Sequence, residues 1–273
     1  MARAVTSVLS WPLRLTSTAT RSIVQKDLRL FVRDITQWGQ FLIVMALVVV
    51  YIFQTRNVAV RTHDPLWANV LGCANMAVCG FILATLAIRF AFPTISLEGR
   101  AFWSIKASPV SMRRFFAVKY CTSLTWVMTL GLGLMCLSIH LLELSNLFAV
   151  VSLVVITLFA LGFTSLSVGI GACFPNFRAR NSAEIASGMG ALLTIVLSLS
   201  YLGGTIAILG RPLYSIVKEG GDLADLMRMD FAMVGLLLVV LNAVVITVPA
   251  VAGVWTLNQR RRRLRSEEVP DLL

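Results

Sequence analysis

Six long stretches of this chain carry no Asp, Glu, Lys or Arg: roughly 36–54, 66–88, 120–142, 147–173, 185–209 and 231–257. Each is close to or above the ~20 residues a helix needs to cross ~30 Å of hydrocarbon. The stretches are continuously apolar, whereas the strands of a membrane barrel alternate apolar and polar positions. The pattern predicts an all-α fold, a polytopic membrane bundle of six transmembrane helices. A shorter pattern precedes the first span. Val24, Leu28, Phe31, Ile35 and Trp38 recur at steps of four, three, four and three, so they share one helical face. Lys26, Arg29 and Arg33 fall largely off that face. The stripe reads as an amphipathic helix over 23–38 lying in the interface plane, its basic side toward lipid headgroups, rather than as a plain extension of the first span.

Composition supports this picture, and charge refines it. Apolar residues make up 58% of the 273, above the roughly 45–50% usual in soluble domains. A net charge of +11 would suggest nucleic acid if its placement were ignored. Nineteen of the 24 Lys and Arg residues lie in the N-terminal segment, 89–119, 174–184 and the tail, which alternate spans place on one side. The other side has five: Arg56, Arg61, Arg211, Lys218 and Arg228. This asymmetry follows the positive-inside rule and puts both termini in the cytoplasm. The basic charge therefore reads as topology, and no nucleic-acid partner is expected. The expected organisation is a basic arm over 1–22, a single six-span domain over 23–257 and a basic tail over 258–273. The domain includes the helix 23–38 and a cytoplasmic loop over 89–119. The first twenty residues are basic and free of acid, which loosely fits a mitochondrial leader; a cytoplasmic arm is the simpler account.

The 89–119 segment is far longer than a plain connector. Pro93 and Gly99 punctuate it, and Ser108-Pro109 marks a turn or a helix start. Phe102 and Trp103 serve either as part of a docking surface or as interfacial anchors. Spans three and four are joined only by Glu143-Leu144-Ser145-Asn146 and must form an antiparallel hairpin. Ser165, Ser167, Gly169 and Gly171, with Ser187, Gly188 and Gly190, let helix backbones approach closely, as membrane bundles require. The outer segment 210–230 is open between a cap, a re-entrant piece and a solvated loop.

Catalytic chemistry is sparse. No Gly-Lys pair occurs, so there is no phosphate-cradling loop. His63 and His140 do not have zinc-site spacing, and no metal or other cofactor is expected. Cys73, Cys79, Cys121, Cys136 and Cys173 lie in or at the end of apolar stretches and read as packing residues. No span carries a carboxylate for an acid protease, and no base sits level with a serine. No catalytic residue is therefore assigned. The same lack of intramembrane charge disfavours an ion-coupled carrier. If the protein moves a substrate uphill, the energy is expected from another chain.

The order of a pre-membrane helix, six spans and a long loop after the second resembles the membrane subunit of type-2 ABC exporters. Glu98-Gly99-Arg100, then Trp103, then Ala107-Ser108-Pro109-Val110-Ser111, is similar to that family's glutamate-led loop closing on a Ser-Pro-x-Ser turn. Lys26-Asp27-Leu28-Arg29 resembles its pre-membrane helix, and Phe174-Pro175-Asn176-Phe177 its link between spans four and five. The resemblance implies a permease unit in a bacterial cytoplasmic membrane, facing a second six-span unit and docking a separate ABC ATPase subunit. Docking would use Glu98, Gly99, Arg100, Trp103, Ser108 and Pro109, with Lys26, Asp27 and Arg29 on the pre-membrane helix. Relatives with two such units per chain are about twice as long. The alternatives are a non-transporting scaffold or regulatory subunit, and a membrane enzyme or ion-coupled carrier.

Overall fold

Helix α1 spans Thr18–Arg33 and α2 spans Ile35–Ala59. The next helix, α3 (Pro65–Leu86), opens on a proline, whose missing N–H is no loss at a first helical position. Then come α4 (Met112–Leu142), α5 (Asn146–Cys173), the five-residue α6 (Ser182–Ala186), α7 (Met189–Glu219) and α8 (Met229–Glu267). The computed structural model describes residues 18–33, 35–59, 65–102, 105, 110–142, 146–177, 179, 181–219 and 229–267. Among these there is no strand, and six helices (α2, α3, α4, α5, α7 and α8) are long and apolar enough to cross a membrane. The fold is an all-α polytopic bundle.

Helix α5 is the axis of the bundle and packs against α3, α4, α7 and α8. Its residues 162–172 are all buried. Close approach is built from small residues, as in membranes generally. A Cβ at Gly169 would run into the backbone of Pro249 on α8, and one at Gly171 into the Phe92 carbonyl. Pro249 interrupts the hydrogen bonding of α8. One residue past the Val245 carbonyl that Pro249 leaves without its helical donor, the Ser165 hydroxyl of α5 donates to the Ile246 carbonyl at 2.6 Å, tying α5 to this part of α8. Two further polar groups, each centred on a tyrosine, cross the interior. The Tyr201 hydroxyl lies 2.6 Å from Asn242 Oδ1 and 3.1 Å from the Leu158 carbonyl. The Tyr51 hydroxyl donates to Asn75 Oδ1 and accepts from the Cys79 thiol at 3.2 Å. Outward faces are apolar, with Val50, Val196 and Val251 all more than half exposed, as lipid contact requires.

Several boundaries differ from the sequence pattern. The amphipathic helix ends at Arg33, and Ile35 and Trp38 belong to α2. The 89–119 stretch is mostly helical. The helix of the second span runs on from Leu86 through a π-helical turn (Ala87–Ala91) into two 3-10 turns (Phe92–Thr94 and Ser96–Ala101). Pro93 is the physical reason: its ring clashes with, and its nitrogen cannot pair with, the carbonyl four residues back. The Phe92 N–H instead reaches the Ala87 carbonyl, five residues back. At the other end of this stretch, α4 begins at Met112, so Arg113, Arg114 and Lys119 are helical. Helix α7 extends to Glu219 and occupies part of the 210–230 segment.

Candidate functional site

The π and 3-10 turns form a break of about fifteen residues between α3 and α4, and four groups of contacts fasten it. Ser96 Oγ accepts from the Asn176 N–H at 3.1 Å, joining the break to the link after α5. Phe102 stacks on Phe177 of that link, with centroids 4.7 Å apart, and leans on Phe115 of α4 at 6.1 Å. The Arg261 guanidinium of α8 donates to the Val110 carbonyl at 2.9 Å. The last group is ionic. Together the contacts gather α1, the break, the α5–α7 link and the ends of α4 and α8 at one end of the bundle.

The ionic group is a closed box of two lysines and two carboxylates. Lys119 Nζ lies 2.6 Å from Glu98 Oε1 and 2.7 Å from Asp27 Oδ2. Lys26 pairs with Glu98 Oε2 and lies 3.7 Å from Asp27. The charges cancel. The Glu98 and Lys119 side chains are only 2% and 3% exposed, Asp27 is 21% exposed and Lys26 40%. Burial pushes the Asp27 carboxyl up from the ordinary carboxylate range against the pull of Lys119. Lys119 also lies over the Phe115 ring, 5.6 Å from its centroid. The box locks α1 to the break and to α4, across sequence separations of 72 and 92 residues.

Gly99, next to Glu98, has φ 53° and ψ −133°. A side chain is disfavoured there even though a Cβ would meet only the Phe177 carbonyl oxygen at 3.9 Å. The glycine kinks the chain between Glu98, whose carboxylate lies in the box, and Phe102, which stacks on Phe177.

The structure therefore divides the residues singled out from sequence. Glu98, Asp27 and Lys26 meet in the box, and Glu98 is buried rather than presented at a surface. Arg29 is exposed on α1. Arg100 lies in the second 3-10 turn, its side chain outside the described positions. Trp103, Ser108 and Pro109 lie outside the described residues. Lys119 is not among the residues singled out from sequence, yet it contacts both carboxylates of the box. A signal existed: within the N-terminal segment and 89–119 together, twelve Lys and Arg residues face only three carboxylates, Asp27, Asp34 and Glu98.

Fold and composition define the class first: this is a polytopic helical membrane protein. Residues 1–268 match the model of a family described as "Putative ATP-binding cassette", and the chain belongs to that family. No curated protein and no solved structure matches it. The family description speaks of a nucleotide-binding cassette, yet the chain contains no Gly-Lys pair.

Proposed function

We propose that this chain is the membrane-spanning permease unit of an ATP-driven ABC exporter, and that nucleotide is hydrolysed by a separate subunit. The observation that carries the reading is the clamped helical break between the second and third spans. A connector needs no such fastening. A segment that must transmit force into two spans does, because only a rigid lever passes displacement on. Family membership supports the ABC system, and the missing phosphate loop supports a role other than the cassette itself.

In this reading both termini and the break face the cytoplasm of a bacterial cell, and the chain itself catalyses nothing. Glu98, Asp27, Lys26 and Lys119 hold the lever; Gly99 shapes it; Arg29, Arg100, Trp103, Ser108 and Pro109 form the surface offered to the ATPase. The box explains how α1 takes part: a push on α1 reaches α4 through Lys119 and the break through Glu98. A second six-span unit completes the pathway. The charge-free spans favour an apolar or lipid-like cargo.

The test is co-purification with the ABC ATPase subunits encoded nearby in the genome, using the wild-type chain, Arg29→Glu and Glu98→Gln. Capture of an ATPase by the wild type, weakened by Arg29→Glu while the chain stays folded, supports the proposal. Capture of a partner without nucleotide hydrolysis moves the scaffold reading ahead. No capture of an ATPase overturns the docking assignment.

A further inference from the structure

The box has a counterpart near the other end of the same helices. Tyr51 of α2 is buried, and its hydroxyl donates to Asn75 Oδ1 and accepts from the Cys79 thiol at 3.2 Å, both on α3. The Asn75 amide N–H reaches on to Met135 Sδ of α4 at 3.9 Å, and Ser138, fully buried one turn further along α4, stands beside the Tyr51 hydroxyl. One phenol therefore gathers α2, α3 and α4. The box gathers the same three stretches of chain: α1, which leads into α2; the break, which continues α3; and α4. Lys119 and Ser138 are nineteen residues apart on the continuous helix α4, roughly 28 Å. The two ties thus stand close to opposite ends of the spans.

What lies between the ties is apolar. Between Gln40 and Tyr51 the buried stripe of α2 is Val44 and Val48. Helix α3 meets α4 through Leu83, whose side chain fills the space over Gly131. Lipid tails are as apolar as these side chains, so such contacts gain from packing but not from the hydrophobic effect. The opposite face of α2 exposes Leu42, Val50 and Phe53, which lipid accommodates without pulling the helix toward the bundle. Tyr51 supplies the directional contacts that single out one position for the outer part of α2.

We propose that Tyr51 is a positioning residue that makes α2, α3 and α4 respond as one body, so that a displacement entering at the box and the break arrives at the far end of these spans. That the body is held at both ends needs only the contacts above; that it carries a transport movement rests on the permease reading. Tyr201 provides a contrast. It is buried too, but its hydroxyl joins α7 to Asn242 of α8 and to the Leu158 carbonyl of α5, outside this group of helices.

Backbone hydrogen exchange of the full chain in lipid nanodiscs, read by mass spectrometry, tests the two-ended body. Tyr51→Phe should speed exchange of residues 51–59 and 135–142 by roughly tenfold or more, and Glu98→Gln should speed that of the break. With both changes, exchange should rise along the whole of α2 by more than the product of the single effects, because neither end then holds it. Asn75→Leu, which breaks the same tie from α3, should reproduce Tyr51→Phe, and Tyr201→Phe should leave α2, α3 and α4 as in the wild type. Unchanged exchange at 51–59 in Tyr51→Phe, or a double variant equal to the product of the singles, overturns the body. So does equal loosening of α2 by Tyr201→Phe, which would mean general softening. The coupling is then tested on the complex with the captured ATPase, trapped with ATP and vanadate. Trapping should change exchange at the break and at 51–59 in the wild type, and only at the break in Tyr51→Phe. A change at both places in the variant overturns the coupling role. No change anywhere in the wild type contradicts the permease reading itself, while the result on the chain alone still decides the two-ended body.

Discussion

Glu98→Gln is the sharpest perturbation the structure offers, because it removes one charge and almost no volume. Glu98 is 2% exposed and contacts two ammonium groups, one of them the 3%-exposed Lys119. Neutralising it leaves Lys119 with Asp27 as its only carboxylate and gives the box a net positive charge in a water-poor site. Breaking a buried pair by removing one partner costs about 3–5 kcal/mol. The partly exposed Asp27 still compensates Lys119, so the lower end, about 3 kcal/mol, is expected. Lys119→Gln alone should cost a similar amount. The double change restores neutrality, since Lys26 and Asp27 remain, and should cost less than the sum of the singles by about 2 kcal/mol. The assay is denaturant unfolding of the four proteins in detergent, followed by tryptophan fluorescence. A Glu98→Gln chain within about 0.5 kcal/mol of wild type would be behaving like a surface change and would refute the box. Strict additivity of the singles would refute the Glu98–Lys119 contact in particular.

Three further outcomes follow from the same geometry. Gly99→Ala should cost about 1–3 kcal/mol from backbone strain at φ 53°, with almost no steric component, as read by the same unfolding assay. Gly169→Val should be worse, of the order of 3 kcal/mol or more, because its side chain meets the Pro249 backbone with nothing flexible to give way; loss of monodisperse protein on gel filtration would register it. Burial raises the pKa of Asp27 in the folded state above the ordinary aspartate value of 3.8, so the folded state holds its proton more tightly than the unfolded state does. Its contribution to stability therefore falls as pH rises through the window between 3.8 and the raised value. Asp27→Asn should remove that slope from a stability–pH profile.

The spans were legible because lipid imposes a simple rule: about twenty apolar residues in a row, with charges confined to the ends. Small residues in the fourth span were legible as packing for the same reason, and Gly169 does lie against α8. The break was legible only as a region. Pro93 and Gly99 announced an interruption, but whether the chain between them looped or stayed helical depended on π and 3-10 pairing, which leaves little trace in composition. The box was the least legible feature. Sequence reasoning treats a charge beside a span as facing water or headgroups, and Glu98 looked like a residue on display. What buries it is a lysine twenty-one positions later and a helix seventy positions earlier, a tertiary fact that no local pattern encodes. Arg29 shows the converse: it looked exposed and is.

The central claim, a permease unit driven by a cassette on another chain, is tested most directly by ATP hydrolysis in proteoliposomes. The purified chain would be assayed alone and again with the ATPase it captures. The account predicts no hydrolysis by the chain alone and vanadate-sensitive hydrolysis in the assembled complex, reduced when Glu98→Gln loosens the lever. Hydrolysis by the purified chain alone would contradict it and would make this protein the cassette itself.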